Sequence, residues 1–220
     1  VEVDRLEKKF GFRSFSIDPK KGFILNGRVY PLRGVCRHQD RSGIGNALTK
    51  AMHEEDIAII KEIGANTLRL AHYQHDDYFY DLCDEAGLVV WAEIPYISRH
   101  MPEANANAES QMKELVYQQY NHACIVMWGI SNEITMYGKH KKDMLEFHKK
   151  LNDLVHQLDP TRLTTPAVFA MAGPMNKTAH ITDVVAWNLY LGWYVPGFFL
   201  NDIWISLFHM LYPNRCLGYS

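Results

Sequence analysis

Residues 124 to 135 read CIVMWGISNEIT, an apolar run that stops at Gly129 and delivers Ser131, Asn132 and Glu133. A turn meeting water gives such a pattern, and so does a proton-handling carboxylate at the mouth of a barrel. Similar polar groups end other apolar runs: Arg37-His38-Gln39-Asp40, Arg69-Leu70-Ala71-His72-Tyr73, Glu93, and Trp187-Asn188-Leu189-Tyr190. Aromatic rings with amides and carboxylates suit a carbohydrate, because sugar C–H faces stack on Trp or Tyr while the polar groups bind hydroxyls. Cleaving a glycosidic bond requires one carboxylic acid to protonate the departing oxygen and a second carboxylate across the bond. Glu133 is the first choice for the acid, provided burial or a neighbouring carboxylate lets it hold a proton near neutrality. Asn132 is placed to bind a sugar hydroxyl. Plainer roles stand beside these: Glu93 as an ion-pair partner of Arg69 or Arg37, and His72 as a satisfied core histidine.

Other chemistries lack their residues. The histidines form no HExxH or His/Cys cluster, and no GxSxG elbow occurs, so neither a catalytic metal nor an α/β-hydrolase triad is expected. A magnesium site built from Glu93 and nearby histidines is the residual metal option, and no cofactor is expected. The chain has 220 residues, 47% hydrophobic and 12% aromatic, with a formal net charge of -2. That balance gives no electrostatic reason for nucleic acid or an anionic membrane as a partner. No apolar run approaches the roughly 20 residues of a membrane helix. Cys36, Cys83, Cys124 and Cys216 are far apart and without CxxC spacing, and three of them lie within apolar runs or a helical pattern, which points to small buried thiols rather than a disulfide framework. The chain opens on Val1 with charged residues at once, so no signal peptide is read and a start inside a longer protein is expected. Compartment (periplasmic, secreted or cytoplasmic) and oligomeric state, a homo-oligomer included, are left open.

The elements that must position these groups follow from pattern. Phe10 to Asp18 alternates as a half-buried strand does. Asn26-Gly27 between Phe23–Leu25 and Arg28–Pro31 predicts a hairpin. From residue 31 strands and helices alternate. Strands are predicted at 32–36, 67–71, 88–94, 125–130, 163–168, 184–188 and 215–219. Helices are predicted at 49–63, 76–86, 109–120, 142–158 and 201–211, with Gly64 and Gly87 as stops. This is the signature of parallel βαβ units. The first strand ends in no phosphate-binding glycine turn, so an eight-stranded (β/α) TIM barrel is favoured over a doubly wound sheet. Seven strands leave it incomplete at the C-terminus. Residues 1–18 read as the tail of a preceding all-β sandwich, and 19–220 as the barrel.

The stretches RGVCRHQD (33–40), NTLRLAHYQHDDYFYDLCDEAGLVVWAEIP (66–95), NHACIVMWGISNE (121–133) and WNLYLGWY (187–194) together resemble the family 2 glycoside hydrolases, the β-galactosidase and β-glucuronidase group. FGFRSFSID and FILNGRVYPLRGV likewise resemble that family's passage from an immunoglobulin-like sandwich into its barrel. The resemblance implies a retaining exo-β-glycosidase acting on a terminal β-linked sugar through a covalent glycosyl-enzyme. A β-galactosidase is the first expectation; β-glucuronidase, β-mannosidase or a non-catalytic carbohydrate-binding barrel are the alternatives. By resemblance Glu133 matches the acid/base. Asn132, His38, Arg69, His72, Asn188, Tyr190 and Trp193, with Tyr194, match positions lining or supporting the sugar pocket. Ala123 replaces the family's usual proline, and Ile94-Pro95-Tyr96-Ile97 lacks the carboxylate with which some relatives bind magnesium. The family's nucleophile follows a GYS run, so the resemblance puts it just after Ser220. A chain ending there is expected to be inactive alone.

Overall fold

A computed structural model describes residues 2–137, 141–194, 196–211 and 217–219. Its strands and helices in chain order are β1 (Phe15–Asp18), β2 (Gly22–Leu25), β3 (Arg28–Val29), β4 (Gly34–Arg37), α1 (Lys50–Glu62), β5 (Thr67–Leu70), α2 (Asp77–Ala86), β6 (Val89–Glu93) and β7 (Ile97–Arg99). There follow α3 (Asn105–Gln119), β8 (Ile125–Tyr137), α4 (Lys141–Leu158), β9 (Leu163–Phe169), β10 (Val185–Asn188), α5 (Asn201–Leu211) and β11 (Leu217–Tyr219). The order β4-β5-β6-β8-β9-β10-β11 forms one parallel sheet that curls as an incomplete TIM barrel, and β7 adds to β8 at its end. All seven predicted barrel strands are present. Of the last one, Arg215 and Cys216 lie outside the described residues.

Local chemistry explains the boundaries. Asp76 caps α2 by accepting from the Tyr78 N–H at 2.9 Å, and Gly87 ends it at φ 67, a left-handed angle that glycine adopts without a Cβ penalty. The Asn26-Gly27 turn has φ 50 and 77, the two positive angles of a tight hairpin. It joins β2 to β3, and β1 pairs with β2 across the expected 18/19 boundary, which therefore falls within a hairpin turn. Phe23 of this sheet packs with Val89 and Val126, at the N-terminal ends of β6 and β8.

Three departures from the sequence reading have physical causes. The strand expected from Phe10 starts at Phe15, because β2 supplies only four partners and register ends at Phe15 opposite Leu25; Phe12 is left 92% exposed. The strand expected over 125–130 runs to Tyr137, because β7, which was not foreseen, pairs Ile97 with Asn132 and Arg99 with Tyr137. The helix expected from Glu109 starts at Asn105, continuing a short turn opened by Pro102.

The main core lies between the sheet's outer face and α1 to α4. Leu68 and Leu70, Val90, Ile125 and Ile130 meet Ile57, Phe79, Leu115 and Leu151 there. Fully burying a side chain of this size contributes about 1.5–3 kcal/mol. Among the described residues Cys83 and Cys124 are buried free thiols as expected, whereas Cys36 is a free thiol left exposed on β4; Cys216 lies outside them. No helix among the described residues is long and apolar enough to cross a membrane.

Candidate active site

Parallel strands end together, so groups at their C-terminal ends meet at one rim. At this rim Arg69, from β5, is 6% exposed and organises the polar groups. Its Nε and one terminal nitrogen donate to Glu93 of β6 at 3.0 and 3.1 Å. It also donates to Asn132 Oδ1 at 2.7 Å and Asn188 Oδ1 at 3.2 Å. Its guanidinium lies 4.3 Å from the centroid of the Trp91 ring, two residues before Glu93 on the same face of β6. A buried arginine with these partners has its charge balanced by Glu93 and its fork fixed in direction. His72 Nδ1 adjoins the same Glu93 and lies 3.3 Å from Arg69. The plainer role read for Glu93 is therefore realised: it is the ion-pair partner of Arg69.

Asn188, at the end of β10, passes the network on. Its amide donates to Asn132 Oδ1 at 3.0 Å and to Glu133 Oε1 at 2.8 Å, and the Tyr190 hydroxyl donates to the same Glu133 oxygen. Burial, then the Glu133 carboxylate, push the Tyr190 hydroxyl pKa upward, so it stays a donor. Glu133 has φ 50, a left-handed angle uncommon for a side-chain-bearing residue, and is 6% exposed. The barrel interior is tight beneath it: a Cβ at Gly129 would overlap Trp91 Nε1 and Glu93 Cβ.

Glu133, Asn188 and Tyr190 form the polar end of a cavity of about 460 Å³. The rest of its wall includes Phe169, Met171, Leu191, Tyr194 and Trp204. A carboxylate lining such space while held by two donors has the placement of a proton-transfer group, and amides beside it can bind hydroxyls. Phe169 and Met171 were not among the expected site residues, because the β9 end carries no charged or amide group. A strand end whose walls are apolar gives no such signal.

The other expected residues are placed as follows. His38 is exposed, with its ring 5.2 Å from His72, and burial followed by the nearby His72 lowers its pKa. Trp193 is 80% exposed, packs edge-on against Tyr194, and does not line this cavity. Arg37, at the end of β4, turns away from the rim and binds Asp56, His53 and His75, over the Phe79 ring.

Residues 17–212 match the family model described as glycosyl hydrolases family 2, TIM barrel domain. A β-glucuronidase of Bacteroides fragilis is 44% identical over 228 residues, covering 100% of this chain and 32% of that protein. A β-galactosidase of Thermoanaerobacterium thermosulfurigenes is 38% identical, covering 86% of this chain and 25% of that protein. The crystal structure of an FMN-binding β-glucuronidase from Facaelibacterium prausnitzii L2-6 superposes with a TM-score of 0.92 at 48% identity, over 96% of this chain and 33% of that one. The chain thus spans about a third or less of the length of these proteins. With a family model covering most of it and relatives of this similarity, the chain belongs to glycosyl hydrolases family 2, within its TIM barrel domain.

Proposed function

We propose that this chain carries the acid/base half of a retaining exo-β-glycosidase site. The observation that supports it most is Glu133: 6% exposed, held by Asn188 and Tyr190, and lining the 460 Å³ cavity. In the first step Glu133 gives its proton to the glycosidic oxygen as the C1–O bond breaks and the nucleophile's carboxylate bonds to C1. In the second, the Glu133 carboxylate takes a proton from water, which attacks C1 and releases the nucleophile. The nucleophile is the carboxylate that the resemblance puts just after Ser220, about 5–5.5 Å from Glu133 in such a mechanism. Asn132, Asn188 and Tyr190 bind the sugar or steady Glu133. Arg69, His72 and His38 support them, and Trp193 with Tyr194 forms the outer rim. An all-β unit precedes the barrel in the complete protein.

A galactoside is the first expectation for the sugar, and none of the described residues lining the cavity is Lys or Arg, which suits a neutral ring. The glucuronidase names at 44% and 48% identity favour a second reading, a β-glucuronide, whose carboxylate would take its cation from elsewhere in the protein. Chromogenic β-galactosides, β-glucuronides and β-mannosides assayed on the complete protein decide between them. Binding of a sugar without hydrolysis of any would leave the non-catalytic barrel standing instead. Glu133→Gln is expected to lower kcat/KM for alkyl glycosides by about 10²–10⁴-fold. Retention of most of that activity would remove Glu133 from the acid role.

A further inference from the structure

Glu133 sits in an uncommon backbone conformation, and such a residue persists only when its surroundings over-determine it. The strand leading to it is also irregular: register against β9 shifts between Gly129 and Ser131. Two anchors hold the chain at this point. The Asn132 N–H donates to the Tyr96 carbonyl at 2.9 Å. Ser131 Oγ lies 2.8 Å from His148 Nε2 on α4, with both residues 1% exposed or less.

The direction of the second bond follows from its neighbours. His148 Nδ1 is 2.8 Å from the Met144 carbonyl, which can only accept, so Nδ1 carries the proton. Burial lowers the His148 pKa to about 4, so the ring is neutral at higher pH and Nε2 is an acceptor. The Ser131 hydroxyl therefore donates to it. The ring is clamped by Tyr96, 5.3 Å away centroid to centroid, so both anchors converge on one residue.

A serine on an imidazole is also the start of a nucleophilic pair, and that alternative fails here. Nδ1 faces a carbonyl rather than a carboxylate, and neither Ser131 nor His148 lines the cavity beside Glu133. What remains is leverage on the next two residues. We propose that Ser131 and His148 are positioning residues, whose buried hydrogen bond sets the strand end so that Glu133 is aimed at the leaving oxygen. This rests on the reading of Glu133 as the acid.

The test compares leaving groups in the complete protein, using the sugar that the glycoside panel selects. A methyl glycoside needs a proton on its departing oxygen; a 2,4-dinitrophenyl glycoside does not. Ser131→Ala and His148→Leu are each expected to lower kcat/KM for the methyl glycoside about tenfold, and for the dinitrophenyl glycoside by less than about twofold. The double variant is expected to be no worse than either single one, because both remove the same bond. His148→Gln, whose amide reaches the position of Nε2, is expected to recover most of the loss. Fewer folded molecules would lower both substrates alike, so equal losses, or none, overturn the proposal. Should His148→Leu not fold, Ser131→Cys, a weaker donor of similar shape, carries the same comparison. Glu133→Gln separates the two readings. If it shows no leaving-group dependence, the acid assignment and the positioning proposal both fall; if it does and the Ser131 and His148 variants do not, positioning alone is wrong.

Discussion

Arg162 and Arg69 are both 6% exposed and both hold a carboxylate, at opposite ends of the curled sheet. Arg162, just before β9, donates to Asp159 at 2.7 Å and to the carbonyls of Ile125, Tyr120 and His122. Asp159 is held in turn by Trp128 and Thr161, and these bonds, against burial, keep its carboxyl below the ordinary value. Close by, Arg13 binds the carbonyls of Ala123 and Ile125, while Asp84 accepts from His122 and the Cys124 N–H. Asp84, His122 and Cys124 come close enough to suggest a metal site. Yet Asp84 is engaged by the other two, and burial keeps the Cys124 thiol protonated. Every one of these groups turns inward on another.

The Arg69 network begins the same way, with a buried guanidinium on a buried carboxylate, but it does not close. Through Asn132 and Asn188 it reaches Glu133, which faces a cavity. The difference separates two uses of one motif. A saturated network joins strands; one that ends in a carboxylate beside open space can exchange a proton with something placed there. Barrels assign stability to the N-terminal face and chemistry to the C-terminal one.

Replacing each arginine with Met tests this division most strongly. Either substitution strands a buried carboxylate and is expected to cost about 3–5 kcal/mol in urea unfolding. Measured on folded protein, Arg162→Met is expected to keep its kcat/KM, whereas Arg69→Met is expected to lose it. Equal catalytic loss in both would collapse the distinction between the two ends.

Acid reaches the structure through other groups. Burial holds His148 at about 4 and His75 at about 3, both below the ordinary 6.5. Between those values the unfolded chain binds protons that the folded chain refuses, so stability rises with pH there and falls as acid is added. The expected result is a urea midpoint that drops from pH 6.5 toward pH 4, with a shallower drop in His148→Gln. An unchanged slope in that variant would mean that the buried imidazole is not the cause. The smallest effect belongs to Gly87→Ala, at the end of α2. The site has room for a Cβ, so only the left-handed backbone angle should tell, at about 1 kcal/mol with unchanged kinetics.

Much of this architecture was legible in residues alone. Gly87 and Asn26-Gly27 carry their stop and turn chemistry in their own side chains, or in the lack of one, whereas the capping bond of Asp76, expected inside the helix, shows only in the structure. The alternation of barrel strands and helices is legible because each of the seven barrel strands is apolar enough to be recognised without its partners; the short β7 is not. Where a partner decides the outcome, residue pattern alone is not enough. Residues 10–14 alternate as a strand does but have no register partner. Residues 131–137 become strand because β7 arrives beside them.

The site shows the same limit. Residue type and spacing were enough to single out Asn132, Glu133, Arg69 and Asn188 as polar groups at strand ends. They could not tell Arg69 from Arg37, since both are arginines that close an apolar run. Pairing decides it: Arg69 stands level with Cys36, and Arg37 level with Leu70. Side chains on a strand alternate between faces, so a shift of one residue carries a group from the barrel interior to its outer layer. Arg69 thereby meets Glu93 and the rim, while Arg37 meets Asp56 behind the sheet. Residue type and spacing supplied the chemical groups and the elements that carry them, and resemblance alone favoured Arg69. Register is the physical reason that this arginine, and not Arg37, reaches the cavity's network.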